Sequence, residues 1–303
     1  LVEDPPPLAP GDPDPPVAHL DERPAPPPAN GDVDPLLLAA VAEAPQAGFL
    51  RGNLAVALLR LERPNEALRE LAPLRATEPF NGDWIAYEAM AYRQLSDPRY
   101  HEICDYDAMV RPFDLEAPSG YRDTAEFNEA LRQSLNRLHV LETHPLDQSL
   151  RHGSQTTRSL LTVDDPIIKQ YLHALEEPIR AYIATMKTPN HPWSGRKTDA
   201  FKLSGCWSVK LKPNGYHVNH LHPEGWISSA YYVTLPAVTK SGDNQEGWIK
   251  FGEPRWPTPG CGPEKVVQPK EGRLVLFPSY MWHGTIPFSE GERMTAPFDV
   301  VPV

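Results

Sequence analysis

Beyond residue 200 the chain consists of short apolar segments with a period of two, separated by glycine and proline. This alternation is typical of β-strands with one buried face, and Gly and Pro mark the turns between them. Many short strands of this kind close into a sandwich or a barrel, and a jelly roll of eight strands fits the length from 201 to 303. The predicted strands are 206–211, 226–235, 247–251, 265–267, 273–277 and 293–301.

Residues 35–112 show helical spacing instead, and part of their pattern repeats. Three positions recur after 34 residues, namely Ala57 as Ala91, Leu61 as Leu95 and Pro64 as Pro98. This period, with small residues where helices cross and proline near a helix end, resembles the tetratricopeptide repeat. Because two repeats fall short of a stable stack, we expect the pair to continue upstream or to pack on the next domain. A pair of unrelated helical hairpins is the alternative.

The remaining segments complete an α+β organisation in which the barrel core spans 201–303. Residues 1–34 are acidic and proline-rich, which indicates an extended linker or tail. Residues 113–200 contain two amphipathic patterns, 126–141 and 166–186, which we expect to brace the barrel as helices. Between them lies a polar segment, 144–157, which we interpret as a surface loop or a wall of a site.

Charge and composition exclude several classes of partner. The net charge of −11, without a basic stripe, argues against a nucleic-acid partner. No segment approaches the roughly 18 consecutive apolar residues of a membrane span. The cysteines at 104, 206 and 261 are odd in number and far apart, which suits neither a disulfide framework nor a zinc cluster. We therefore expect a cytoplasmic protein.

Histidines are the strongest indication of function. His220 and His222 have the i, i+2 spacing that points two side chains to one face of a strand, whereas His217 points to the other face. His283, at the start of a later strand, is positioned to complete a triangular metal site with an open opposite face. Three neutral imidazoles suit Fe(II), although zinc and copper also bind such sites.

Arg293 and Thr295 share one face of the last predicted strand. An arginine near an apolar core is costly unless it is paired, so this guanidinium predicts a carboxylate ligand that Thr295 helps to hold. A dicarboxylate would meet both requirements, with one end on the metal and the other on Arg293. The alternative is a surface ion pair of Arg293 with Asp299 or Glu292.

The segments 220–233, 272–284 and 293–295, together with 144–149, resemble the 2-oxoglutarate- and Fe(II)-dependent oxygenases that often carry tetratricopeptide repeats. The resemblance covers about 140–303. It implies a double-stranded β-helix, the cofactors Fe(II) and 2-oxoglutarate, and hydroxylation or another oxidation by O2. By position, His220, His222 and His283 match the metal ligands, Arg293 matches the residue that binds the distal carboxylate, and Tyr232 matches an aromatic that assists it.

The chain departs from this family at one ligand, because most members have Asp or Glu where His222 stands. The alternative is that Glu224 is the second ligand, with His220 released from the metal. For substrate contact we expect Arg151, Gln155 and Trp226 to contribute, and a peptide or protein recruited by the helical repeats is one possible substrate class. Two other functions remain open, a three-histidine dioxygenase without 2-oxoglutarate and a metal-free interaction protein.

Overall fold

The computed structural model describes residues 32–141, 148–187, 191–242 and 244–303, so nearly all of the predicted tail 1–34 lies outside it. Its α-helices are α1 (Pro35–Glu43), α2 (Gly48–Arg60), α3 (Pro64–Thr77), α4 (Gly82–Gln94), α5 (Arg99–Ile103), α6 (Tyr106–Met109), α7 (Thr124–Asn136), α8 (Pro166–Ala174) and α9 (Glu176–Ala184). Its strands are β1 (Arg111–Asp114), β2 (Leu150–Gln155), β3 (Phe201–Cys206), β4 (Val209–His217), β5 (Ile227–Thr234), β6 (Ile249–Phe251), β7 (Lys265–Val267), β8 (Arg273–Pro278), β9 (His283–Thr285), β10 (Arg293–Thr295) and β11 (Phe298–Pro302).

Helices α2, α3 and α4 share an apolar cluster in which Leu59 and Ala67 are fully buried. Gly52 lets Trp84 approach closely, since a Cβ at that position would lie 2.3 Å from the indole ring. Trp282, which precedes His283, also belongs to this cluster, so the helices reach the segment that carries the site. The helical character of this region agrees with the sequence, whereas its assignment to tetratricopeptide repeats stays a prediction.

Helices α7, α8 and α9 cover the sheet. Asp165 caps the N-terminus of α8, and its carboxylate accepts hydrogen bonds from two backbone N–H groups of the first turn. The predicted single helix 166–186 is divided between α8 and α9 because Pro178 has no N–H for the preceding turn. The predicted helix 126–141 ends at Asn136. From α8, Tyr171 packs on Tyr231 of β5 with ring centroids 5.0 Å apart.

The strands pair antiparallel, which confirms the mixed helical and antiparallel architecture. The larger sheet runs β1-β8-β5-β10-β4-β2, and β11 joins β5 to β3. The predicted strand 206–211 is divided between β3 and β4, and the predicted strand 293–301 is divided between β10 and β11. The reason is that β3 pairs with β11 and β4 pairs with β10, in separate ladders. Pro297 lies at this division, and it cannot donate to a ladder.

A smaller sheet runs β7-β6-β9, and the cavity described below is lined from both sheets. The polar segment that we interpreted as a loop contains β2, which pairs with β4. Residues 144–147 of that segment lie outside the described residues. Within the described part of the chain, no helix has the length and apolar character needed to cross a membrane. The bounds of the predicted domains stay predictions.

Candidate metal centre

Three histidines meet where β4 ends and β9 begins. His220 and His283 pair through two backbone hydrogen bonds of 2.9 and 3.0 Å. The backbone N–H of His222 donates to Ser279 O at 2.9 Å. These main-chain bonds hold the three residues in register.

The potential ligand atoms of the three imidazoles lie within 4.8 Å of one another. The ring centroid of His220 is 4.2 Å from that of His283 and 5.2 Å from that of His222, and those of His222 and His283 are 5.3 Å apart. Imidazole nitrogens at this spacing suit one first-row transition metal ion.

Each ring already uses its Nδ1 atom. His220 Nδ1 lies 2.9 Å from Val218 O, and His283 Nδ1 lies 2.9 Å from Met281 O. A carbonyl only accepts, so Nδ1 carries the proton in both rings and Nε2 keeps its lone pair. His222 Nδ1 lies 2.6 Å from Asp299 Oδ2, which sets the same tautomer. The three Nε2 atoms therefore keep their lone pairs for a metal, as in sites with a bonded outer shell, and that of His220 has a long contact of 3.4 Å with Ser149 Oγ.

Burial keeps the imidazoles of His220 and His283 neutral. Desolvation, together with the neighbouring His222, lowers the pKa of His220 to about 3. Desolvation likewise holds the pKa of His283 well below its usual value. A neutral imidazole is the form that binds metal, so protons do not compete for these two side chains near neutral pH.

His217 and Glu224, the other two candidates, stay outside this group. His217 Nδ1 lies 2.9 Å from Ser149 Oγ, and its ring stacks on that of His220 with centroids 5.7 Å apart. The exclusion of His217 agrees with the prediction, but strand alternation is the wrong reason because β4 ends at His217. Glu224 is exposed, and it is not among the described residues whose ligand atoms converge.

Arg293 lies at the other end of the cavity, with 2% of its surface exposed. Its Nε donates to Gly247 O at 3.2 Å, and the guanidinium carbon is 5.1 Å from the centre of the Tyr232 ring. Among the described residues, no carboxylate forms an ion pair with it. The surface ion pair that we considered is therefore wrong, since Asp299 binds His222 and Glu292 lies 3.9 Å from Lys210.

Arg293 and the side chains around it have hydrogen-bonding groups that are available for a ligand. Desolvation lowers the pKa of its guanidinium, which Tyr232 partly offsets. Within the described part of the chain, the buried Tyr232 hydroxyl has no hydrogen-bond partner, and burial raises the pKa of this phenol. Thr295 is buried beside them at 3% exposure. Buried polar groups normally have partners, so this end of the cavity fits an anionic ligand.

A cavity of about 480 Å³ connects the histidines to Arg293 and Thr295. Arg151 and Gln155 line it from β2, and their contact with a substrate stays a prediction. Trp226 is a correction: its indole is buried, donates to Trp193 O at 2.9 Å and is not among the described residues that line the cavity.

Sequence reasoning missed Asp299 and Ser149 as neighbours of the imidazoles. Asp299 was considered only as a partner for Arg293, and Ser149 only as part of a polar loop. The one available signal was an aspartate that interrupts the apolar pattern of 298–301.

Residues 205–299 match the model of a protein family described as "Putative 2OG-Fe(II) oxygenase". No curated protein matches the chain. Similar solved structures include a Pseudomonas putida prolyl-4-hydroxylase, with 17% identity, 64% of this chain and 94% of that chain covered, and a TM-score of 0.43. A viral collagen prolyl hydroxylase from Paramecium Bursaria Chlorella virus-1 shows 13% identity and a TM-score of 0.43, and the match covers 64% of this chain and 97% of that chain. A Trichoplax adhaerens prolyl hydroxylase in complex with a hypoxia inducible factor peptide shows 13% identity, 70% and 93% coverage, and a TM-score of 0.42.

The segment that matches the family model contains all three converging histidines and the buried Arg293. Their chemistry fits the two cofactors of that family, because neutral imidazoles suit Fe(II) and a buried cation suits a carboxylate. The chain is an oxidoreductase with Fe(II) and 2-oxoglutarate as cofactors, and its residues 205–299 are similar to the 2OG-Fe(II) oxygenases.

Proposed function

We propose that this oxygenase hydroxylates, or otherwise oxidises, an amino-acid, peptide or protein substrate, with His220, His222 and His283 as metal ligands. One observation carries the proposal: three converging imidazoles and a buried guanidinium that pairs with no carboxylate of the described residues face the same cavity. When bound, Fe(II) and 2-oxoglutarate supply the oxidising chemistry, which consumes O2 and yields succinate and CO2.

The chain itself binds and orients these groups. His220, His222 and His283 would hold Fe(II) through their Nε2 atoms at one end of the cavity. Arg293 presents unused N–H groups, and Thr295 and Tyr232 present hydroxyls, so together they hold the distal carboxylate of 2-oxoglutarate. Hydrogen bonds to charged groups contribute roughly 1.5–3 kcal/mol each, and in a buried site they also fix orientation.

The wall of the cavity restricts the choice of substrate. Trp207 stacks on His222 with ring centroids 6.0 Å apart and an interplanar angle of 19°, which shields that ring from solvent. Arg151 and Arg255 line the cavity, whereas no Asp or Glu is among the described lining residues. In an acidic chain this arrangement favours an anionic group on the substrate. A mass-spectrometric screen for products heavier by one oxygen should therefore favour acidic over basic peptides, and the reverse preference would refute this part.

The architecture that we propose for the barrel is the double-stranded β-helix, with the larger sheet and the β7-β6-β9 sheet enclosing the cavity. The helices of 35–112 are proposed to be tetratricopeptide-like and to recruit the peptide or protein. The alternative of a three-histidine dioxygenase without 2-oxoglutarate gives Arg293 no role. The metal-free interaction protein gives no role to either end of the cavity.

Succinate release with and without added 2-oxoglutarate tests the proposal. Anaerobic addition of Fe(II) and 2-oxoglutarate should also produce a weak visible charge-transfer band. We expect the band to disappear in His283→Ala and to persist in Glu224→Ala, the control whose side chain is exposed. Loss of the band in Glu224→Ala would refute the three-histidine ligand set. Substrate oxidation without 2-oxoglutarate would support the alternative dioxygenase.

A further inference from the structure

The three imidazoles differ in the partner of Nδ1, the ring nitrogen that does not face the candidate metal position. His220 and His283 each use a backbone carbonyl, which is neutral. His222 uses the carboxylate of Asp299, with Nδ1 and Oδ2 2.6 Å apart. The His222 and Asp299 side chains are only 20% and 15% exposed, so solvent screens this contact less than it would a surface pair.

The fold holds this carboxylate in place from a second side. In the ladder between β11 and β5, Asp299 stands opposite Ser228. The Ser228 hydroxyl donates to Asp299 Oδ1 at 2.6 Å and lies 2.9 Å from Ser279 Oγ. Ser279 in turn accepts the backbone N–H of His222 through its carbonyl at 2.9 Å. Asp299 and His222 are therefore positioned by the same group of residues.

Charge distinguishes Asp299 from the other two partners. Three neutral imidazoles leave the charge of a divalent cation uncompensated, whereas a His-x-Asp site supplies one negative charge directly. No Asp or Glu is among the described residues that line the cavity. Asp299 carries its negative charge one hydrogen bond behind the metal-facing nitrogen of His222, and such outer carboxylates increase the basicity of the imidazole that they bind.

We propose that Asp299 is a positioning residue that orients His222 and, through its imidazole, supplies the negative charge that a carboxylate ligand supplies in a His-x-Asp site. The inference rests on the proposed role of the histidines as ligands. It explains how a site with three neutral ligands retains a divalent metal without an acidic ligand in the cavity.

Metal affinity tests the inference without any need for turnover. Anaerobic Fe(II) and, separately, Co(II) would be titrated into metal-free protein in competition with a chromophoric chelator. We expect Asp299→Asn, which keeps the shape and removes the charge, to weaken binding by roughly 10–100-fold. Asp165→Asn is the matched control, because Asp165 is also hydrogen-bonded but caps α8. Its metal affinity should equal that of the wild type.

A second set of variants, built on His222→Asp, separates the loss of the Asp299 charge from a disturbance of the structure. In His222→Asp the ligand itself is anionic, so Asp299 would become a repelling neighbour. There, the added Asp299→Asn should leave metal affinity unchanged or increase it. An equal loss in both backgrounds would overturn the inference, because it would indicate a merely structural role. An unchanged affinity in Asp299→Asn alone would also overturn it.

Ser228→Ala provides a further arm should Asp299→Asn fold poorly. It removes the bond that orients Asp299 and keeps the charge, so we expect a loss of a few fold together with an altered visible spectrum of bound Co(II). Wild-type affinity with an unaltered spectrum would count against the inference. Failure of the wild-type protein to bind either metal would instead refute the proposed function.

Discussion

The two ends of the cavity differ in how completely their polar groups are bonded. At the histidine end, the Nδ1 atom of each of the three rings has a partner within 2.9 Å, and the Nε2 atoms keep their lone pairs. At the Arg293 end, the buried guanidinium donates to one backbone carbonyl of the described residues, and the Tyr232 hydroxyl bonds to none of their groups. The polar groups of the histidine end are thus largely bonded, whereas the Arg293 end has donors left for the carboxylate that we propose it binds.

The difference assigns separate tasks to the two ends. A preorganised set of ligands determines how tightly a metal is held. A buried cation with unused donors lowers the stability of the empty protein and increases the preference for an anion. Substitutions at one end should therefore change metal affinity, and those at the other should change the affinity for 2-oxoglutarate.

The largest effect is expected from His283→Ala. Loss of a direct ligand should reduce metal affinity by more than the roughly 100-fold that loss of an outer partner costs, and succinate formation should fall to background. Metal content after gel filtration and succinate release would be measured. His217→Gln is the matched control, because His217 is adjacent to His220 but outside the converging group. Equal metal loss in both variants would break the comparison.

Arg293→Gln should act on the other end alone. The charge that faces the carboxylate is lost, so we expect the KM for 2-oxoglutarate to rise roughly 10–100-fold, given about 1.5–3 kcal/mol for a charged hydrogen bond. Metal affinity measured without 2-oxoglutarate should stay unchanged. Arg273→Gln is the control, since Arg273 is paired with Asp114 instead. A parallel fall in metal affinity in Arg293→Gln would show that the two ends are not separable.

Gly82→Ala should disturb the histidine end through the helices. The N–H of Gly82, at the start of α4, donates to Pro223 O at 2.8 Å, and a Cβ there would lie 2.9 Å from Pro223 Cα. Overpacking of this kind costs roughly 1–3 kcal/mol. We expect metal affinity to fall a few fold while the KM for 2-oxoglutarate stays constant.

Gly52→Ala separates this effect from general destabilisation. Its Cβ would clash with the Trp84 ring inside the helical cluster, and Pro223 is not among its nearest neighbours. The variant should lower the melting temperature without changing metal affinity. If Gly52→Ala and Gly82→Ala reduce metal affinity equally, the contact of α4 with Pro223 has no specific role.

The smallest effect is expected from His139, which contacts β2 and changes the free energy of unfolding with pH. The His139 ring lies 2.9 Å from Ser154 Oγ of β2 and 3.0 Å from Ser208 Oγ, and burial lowers its pKa to about 4. The unfolded chain therefore binds more protons between about pH 4 and 6.5, so stability falls as pH decreases through this range. The shift corresponds to at most about 3 kcal/mol.

Urea unfolding of metal-free protein at pH 7 and pH 5 would measure this effect. We expect His139→Gln to lose less stability than the wild type between these two pH values. His220 and His283 contribute to the same pH dependence in both proteins, so the difference isolates His139. An equal loss in both proteins would refute the role of His139.

Several features could be predicted from local pattern alone. The alternation of 273–277 and 265–267 predicted β8 and β7 closely, because a half-buried strand requires that period. Proline positions explain the errors, since Pro178 and Pro297 divide a helix and a strand that apolar spacing alone makes continuous. The strand β2 was missed because its sequence, with Arg151 and Gln155, is polar and lies on the edge of the sheet.

The sequence by itself determined the candidate metal ligands and the candidate anion-binding residue. Residue type and spacing suffice to recognise three histidines and an arginine whose burial without a partner is unfavourable. Only the tertiary structure decided which nitrogen of each ring is free, since that depends on carbonyls and on a carboxylate brought there by other strands. Asp299 reaches His222 across 77 residues through the register of β11 on β5. Register is a property of the assembled sheet, because each strand is placed by its neighbours.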